Sequence, residues 1–383
     1  MLLEDFIVTL TAQKRLDDLT LLESADPGGV LRQVASSAGQ VRTAARTAAE
    51  TDLGPVVSES RPRTIVVTGM GGSGVAGEVL SVVCGFGSTT QVVTLHDYRL
   101  PGWVSAADLV IAVSCSGATE ETLYTAKEAV NRRCPMVGVG SAGSPLALLA
   151  KRAQAPFIPV RPAGMPRSTL WGLSVPLIVI ANRLGVVEIP ENELEAAAVE
   201  LERVSHLCRP DSDSFVNPAK TLALELAGKL PMIWGSSPLA GLAATRFATQ
   251  LNENAKYPAV PGVLPEANHN QVVVFDGPFA GWPAGNEVVV DYEDLLPTVP
   301  LHLVILRDSQ EHPQVTRRRV VSVELAEQRG IGVTQLAAVG ETALQRLASL
   351  IQLIDYATVY LGIAIGVDPG PIGVIGELKE RIA

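Results

Sequence analysis

The sequence predicts an α/β protein of two domains, each a mainly parallel sheet flanked by helices, and three observations carry that reading. Short β-branched runs alternate with stretches of helical length, and the alternation restarts after a charged Ala/Glu-rich helix in mid-chain. Two of the runs end in glycine-rich or hydroxyl-rich loops that lead straight into helices. The composition, 47% hydrophobic with 34 glycines and only 4% aromatics over 383 residues, suits cores packed with Ala, Val and Leu and excludes a disordered or fibrous chain. That length exceeds a usual single core, so two are expected.

A formal charge of −10 argues against nucleic acid or an acidic membrane as the main partner. Any phosphate site must then rely on local backbone dipoles and a few placed cations. Cys84, Cys115, Cys134 and Cys208 lie far apart and show no metal-ligand spacing, which predicts a reducing cytoplasm and no metal centre. The start, Met1-Leu-Leu-Glu-Asp-Phe6, puts acids where a signal peptide needs basic residues. The two most apolar stretches, residues 169–186 and 347–367, contain Asn182 with Arg183 and Asp355, so both read as buried helices.

Taken in order, residues 1–60 form an N-terminal helical segment in which 33–51 is Ala-rich and Asp26-Pro-Gly-Gly29 is a break; a cap or an oligomer contact is its expected role. A first domain, 61–188, has strands at 64–68, 91–95, 109–113, 136–140 and 157–160. Its helices run from about 75, over 120–132 and 145–152, and around 170–184. A second domain, 189–340, opens with the helix 191–208, continues with a strand at 230–234 and a helix over 239–254, and has strands at 271–275, 287–290, 301–306 and 333–338. Residues 341–383 close the chain with a long apolar helix and a short one over 373–381. The shared cadence is a weak internal duplication.

The chemistry-bearing stretch is Thr64-Ile-Val-Val-Thr-Gly-Met-Gly-Gly-Ser-Gly-Val-Ala-Gly-Glu78, a strand, a tight loop and a helix. Glycines let a ligand approach the backbone, and the first N–H groups of the helix lack partners, so an anion is accommodated there. Gly69, Gly71 and Gly74 also satisfy G-x-G-x-x-G, with Asp97 as a conceivable ribose-binding acid, and a plain packing turn is a further alternative. The loop Ser114-Cys-Ser-Gly-Ala-Thr-Glu-Glu-Thr122 after the third strand favours a phosphate ester: it supplies neutral hydroxyl donors beside a helix N-terminus. Thr119 alone would read as an ordinary helix N-cap.

These two loops resemble the signature of sugar isomerase (SIS) domains and the first glycine loop of the bifunctional phosphoglucose/phosphomannose isomerase family. The resemblance continues through Met165-Pro-Arg-Ser168, Asn252-Glu-Asn-Ala-Lys256, Pro265-Glu-Ala-Asn-His-Asn270, Leu306-Arg-Asp308 and Glu377-Leu-Lys379, spanning residues 64–383 in order. It implies two SIS domains, aldose–ketose isomerisation of glucose 6-phosphate and often mannose 6-phosphate without a cofactor, and a homodimer whose sites are shared between chains. Gly72, Ser73, Ser114, Ser116 and Thr119 correspond to the phosphate-binding and sugar-binding loops. Arg167 corresponds to the arginine beside the enediolate, Glu253 to the base, His269 to the ring-opening histidine and Lys379 to the C-terminal lysine of the site.

The reaction itself asks for such groups. One carboxylate must take the C2 proton and return it to C1, a second shuttle must open the ring, and a cation must meet the charge that develops. Glu253 otherwise reads as a solvated carboxylate at an unfavourable helix C-terminus, and Lys379 as an ordinary cation near a helix end. Relatives commonly carry an aromatic residue at Cys115, Asn at Ala118, Asp at Glu78 and Thr at Gly370; the hydroxyls are spared. A noncatalytic SIS regulator that senses a sugar phosphate is the alternative function, and the joint presence of Glu253, His269 and Lys379 distinguishes the enzyme from it.

Overall fold

Among the described residues five helices precede the first strand: α1 (Leu2–Asp17), α2 (Leu19–Ala25), α3 (Val30–Ala35), α4 (Ser37–Glu50) and the short α5 (Gly54–Val57). The first two breaks between them are made by carboxylates. Asp18 accepts from the N–H groups of Thr20 and Leu21 at the start of α2. Asp26 accepts from those of Val30 and Leu31 at 2.7 and 2.9 Å, so the expected Asp-Pro-Gly-Gly break also caps α3. The structure, a computed structural model, describes residues 2–57, 61–280 and 299–382.

The described chain divides into two compact units, one of Ala35–Glu202 with Ala343–Gln345, the other of Met1–Val34, Arg203–Thr342 and Arg346–Ala383. The sequence division at 60, 188 and 340 is contiguous; these units are not. The N-terminal helices are split between them, α4 going with the first sheet and α1 and α2 with the second.

In the unit that begins at Ala35, β1 (Thr64–Thr68), β2 (Gln91–Leu95), β3 (Leu109–Ser114), β4 (Met136–Gly140) and β5 (Phe157–Pro159) form a parallel sheet in the order β2-β1-β3-β4-β5. Every residue of β1, β3 and β4 is buried, as expected of strands covered on both faces. The helices are α6 (Val75–Cys84), α7 (Glu120–Asn131), α8 (Pro145–Arg152) and α9 (Leu170–Arg183), with α4 packed on α9. Since β1 is followed by β2 on one side and β3 on the other, the chain reverses direction across the sheet between β1 and β3. The carboxyl ends of those two strands flank a topological switch point.

Helix α10 (Glu193–Leu207) runs across the division between the units. In the other unit, α11 (Pro218–Leu226) leads to β6 (Leu230–Gly235), α12 (Pro238–Gln250), β7 (Val260–Val263), β8 (Leu301–Arg307), α13 (Pro313–Gln328) and β9 (Gly332–Ala337). The strands are parallel in the order β7-β6-β8-β9, with a second switch point between β6 and β8. α14 (Ala343–Ala364) and α15 (Gly373–Ile382) follow. By length and composition α14 is apolar enough to cross a membrane, yet 94% of its apolar window is buried inside the protein. Its Asp355 meets Arg246 of α12 through two hydrogen bonds of 2.6 and 2.9 Å. Removing either partner of such a buried pair costs about 3–5 kcal/mol, so the polar residue is part of the core rather than an interruption of it.

The expected strand at 271–275 is a 3-10 helix, Gln271–Asp276. The edge beside β6 is taken by β7, and the segment is held by side chains instead: Gln271 accepts from Trp234 Nε1 at 2.6 Å and donates to the Pro261 carbonyl, while Phe275 stacks on Trp234. The expected helix 239–254 is α-helical only to Gln250 and continues as a wider π-turn, Leu251–Ala255. The expected strand at 287–290 lies outside the described residues.

Candidate functional site

Two loops at the β1/β3 switch point are tied together by hydroxyls. Ser73, in the 3-10 turn Gly71–Ser73 that enters α6, accepts through Oγ from the Cys115 N–H at 3.1 Å. Ser114, the last residue of β3, has its Oγ 2.8 Å from Thr119 Oγ1 and 3.4 Å from Ser116 Oγ. It also accepts from the N–H groups of Gly117 and Thr119. Thr119 sits at the N-cap position of α7 yet makes no side-chain cap hydrogen bond, because its hydroxyl is turned to Ser114. The ordinary capping role is thereby excluded, and the first N–H groups of α7 are left without an intrahelical or capping partner. Ser73 and Ser114 are buried, and Ser116 is exposed at the mouth of the loop.

Arg167 joins this group from the 3-10 turn Pro166–Ser168, and only 2% of it is exposed. A Cβ on Gly72 would lie 3.2 Å from the Pro166 carbonyl oxygen and 3.3 Å from the Arg167 Cα, so glycine permits the two turns to touch. Sequence reasoning missed what holds the Arg167 turn. Gln40, on α4, donates to the Ser168 carbonyl at 2.8 Å and accepts from the Gly172 N–H at 3.2 Å. It lies in the N-terminal segment expected to serve as a cap or an oligomer contact, more than a hundred residues from its partners; only a polar residue in an Ala-rich helix hinted at it. His96 contacts the Gly69 carbonyl through Nδ1 at 2.8 Å and so braces the glycine loop. Burial pushes the Cys115 thiol up, against the opposing effect of the Thr169 hydroxyl beside it.

The remaining candidates stand in the other unit. Glu253 is half-buried in the π-turn that extends α12. The turn is pinned from both sides. Asn254 Nδ2 donates to Thr358 Oγ1 at 2.9 Å, and Lys256, in a left-handed conformation at φ 54°, donates to the Glu253 and Asp368 carbonyls at 3.0 and 2.9 Å. Gly362 of α14 makes the approach possible, since a Cβ there would be 2.8 Å from the Asn254 carbonyl oxygen. π-turns of this kind concentrate at functional positions because they re-aim a side chain that a regular helix would point elsewhere. His269 ends the 3-10 turn Glu266–His269 and is exposed; its neighbour Asn268 is anchored to Ser322 Oγ at 2.7 Å. Lys379 is exposed on α15, a helix with no buried residue.

The structure therefore brings Gly72, Ser73, Ser114, Ser116, Thr119 and Arg167 into one cluster and carries Glu253, His269 and Lys379 on three separate elements of the other unit. Among the described residues no group of three or more His, Cys, Asp or Glu side chains is placed to hold a metal ion.

Known proteins match this arrangement. Residues 215–382 match the family described as bacterial phospho-glucose isomerase C-terminal SIS domain. The bifunctional phosphoglucose/phosphomannose isomerase of Caldicellulosiruptor bescii is 30% identical over 83% of this chain and 89% of its own. The protein of the same name from Aquifex aeolicus is 31% identical over 83% and 90%. Among solved structures, a hypothetical protein of Thermus thermophilus superimposes with a TM-score of 0.68 at 16% identity, over 99% of this chain and 96% of that one, which shows a shared fold. With two full-length relatives at this identity and the expected loops in place, the chain belongs to the bifunctional phosphoglucose/phosphomannose isomerase family.

Proposed function

We propose that this protein interconverts fructose 6-phosphate with glucose 6-phosphate and mannose 6-phosphate through an enediolate. The hydroxyl cluster of Ser73, Ser114, Ser116 and Thr119 at the β1/β3 switch point carries the reading, because it supplies neutral donors and a helix N-terminus for a phosphate dianion on a chain of charge −10. In this proposal Glu253 takes the C2 proton and returns it to C1, and His269 moves the proton that opens the ring. Arg167 pairs with negative charge as the enediolate forms, and Lys379 adds a second cation to the site. The proton leaves one carbon of the substrate and arrives at its neighbour, so no external oxidant or reductant enters.

The direct test is incubation with fructose 6-phosphate and separation of the aldose products. Formation of glucose 6-phosphate and mannose 6-phosphate is expected, and a protein that binds the ester without turning it over would instead be a sugar-phosphate sensor. A thermal shift is expected with fructose 6-phosphate and none with NAD at the same concentration. The proposal also includes a homodimer in which His269 serves the partner's site. Refolding Glu253→Gln and His269→Ala chains together then restores about a quarter of wild-type activity, since about half the dimers are mixed and each has one intact site. No recovery, with subunit exchange verified by mass, would place both residues in one chain.

A further inference from the structure

The second sheet repeats the switch-point topology of the first, between β6 and β8, and the loops that follow those strands close on a carboxylate of the protein itself. After β6 come Ser236 and Ser237, the latter capping α12 by accepting from the Ala240 N–H at 3.1 Å. After β8 comes Asp308, whose N–H donates to Ser236 Oγ at 2.9 Å. Its carboxylate accepts from Ser237 Oγ at 2.8 Å, from Arg346 Nε at 2.8 Å and from the Gln310 N–H at 3.2 Å. All four side chains are enclosed: Ser236, Ser237, Asp308 and Arg346 are 1, 8, 7 and 3% exposed.

We infer that Asp308 is the resident anion of this second crevice. Its carboxylate stands at a capped helix N-terminus between two switch-point strands, where the corresponding crevice of the first sheet presents the hydroxyls of Ser73, Ser114, Ser116 and Thr119. A buried arginine, a seryl hydroxyl and a backbone N–H form a complete carboxylate receptor, and the chain supplies the ligand covalently. The crevice is closed to sugar phosphates while Asp308 is present. Removing the Asp308 side chain beyond Cβ leaves Arg346 and Ser237 facing a space of carboxylate size, which a small carboxylate from solution fills. The inference stands whatever reaction the first crevice serves.

The test uses the full chain with Asp308→Ala and follows the melting temperature in sodium formate against sodium chloride of equal ionic strength at constant pH. Formate should raise the midpoint of the variant by about 2 °C or more over chloride and leave the wild type unchanged. Equal responses of variant and wild type would overturn the inference. The double variant Asp308→Ala/Arg346→Met removes the counterion as well, so it should melt higher than Asp308→Ala alone and lose the formate gain. Where the single variant fails to fold, recovery of a folded protein in the double variant supports the resident-anion role. Continued failure, or a double variant no more stable than the single one, overturns it.

Discussion

The crevices at the two switch points share their topology and differ in what faces the ligand position. At the ends of β1 and β3 the loops are joined by Ser73, Ser114, Ser116 and Thr119, whose hydroxyls bond to one another and to backbone N–H groups. At the ends of β6 and β8 the same kind of loop closes on Asp308, held by Ser237 and Arg346. Asp308 and Arg346 satisfy one another, so a second anion reaching that position finds the arginine already paired. In our proposal a single carboxylate therefore separates a crevice open to a phosphate from one that the chain itself already fills. Parallel-sheet topology creates the opportunity for an anion site, and the side chains at the switch point decide whether it is open.

The largest expected effect tests the proposed division between ester binding in the first crevice and proton transfer by Glu253. Glu253→Gln should lower turnover of fructose 6-phosphate by about a thousandfold or more, while the thermal shift produced by the ester survives, because the phosphate loops are untouched. Near wild-type turnover would remove Glu253 from the reaction.

The second sheet also buries a histidine, His302. His302 Nε2 contacts Thr334 Oγ1 at 2.8 Å, and burial, with the nearby Lys229 cation, pushes the imidazole down to about 4. The folded state thus holds it neutral while an unfolded chain protonates it near pH 6.5. Its contribution is complete above pH 6.5 and is lost as the pH falls toward about 4, on the order of 3 kcal/mol in all. Denaturant titrations of wild type and His302→Gln across that range should show a steeper loss in the wild type; parallel curves would contradict the buried neutral form.

A substitution that gives the first crevice its own acid imitates what Asp308 does in the second. Ser116→Asp should raise the KM for fructose 6-phosphate about 30-fold, or about 2 kcal/mol, with less effect because position 116 is exposed and solvent screens the added charge. An unchanged KM would locate the phosphate elsewhere. The smallest effect concerns the fit between the turns: Gly72→Ala brings a Cβ to 3.2 Å from the Pro166 carbonyl oxygen and should raise KM a few-fold, about 1 kcal/mol, by displacing Arg167. Kinetics that match the wild type would show that the Arg167 turn can yield.

Much of the first sheet was legible because its signals are local. Each of β1 to β5 is a short apolar run, and the glycine and serine loops announce themselves within ten residues. The second sheet was less legible for a physical reason. β7 contains Pro261 and Gly262 and reads as a turn, while residues 271–276 carry three consecutive valines and read as a strand. Which of the two pairs with β6 is settled by Trp234, whose ring and Nε1 are satisfied by Phe275 and Gln271. Helices α11 and α13 were not anticipated either, although Asn217-Pro218 and His312-Pro313 are start signals of the same kind as Ser144-Pro145 at α8.

By itself the sequence determined the alternation of strand and helix and the two glycine-rich and hydroxyl-rich loops that meet at the β1/β3 switch point. These depend on side-chain shape, backbone freedom and spacing over a few residues, which the order of amino acids states directly. Only the tertiary structure decided that Gln40 clasps the Arg167 turn, that Thr119 turns to Ser114 instead of capping its helix, that Glu253 rides on a π-turn pinned by α14, and that Asp308 is spoken for by Arg346. Each of these choices trades water for a specific protein partner. For Gln40, the Glu253 turn and Asp308 that partner lies far along the chain, so its energy exists only once the backbone has brought the two together.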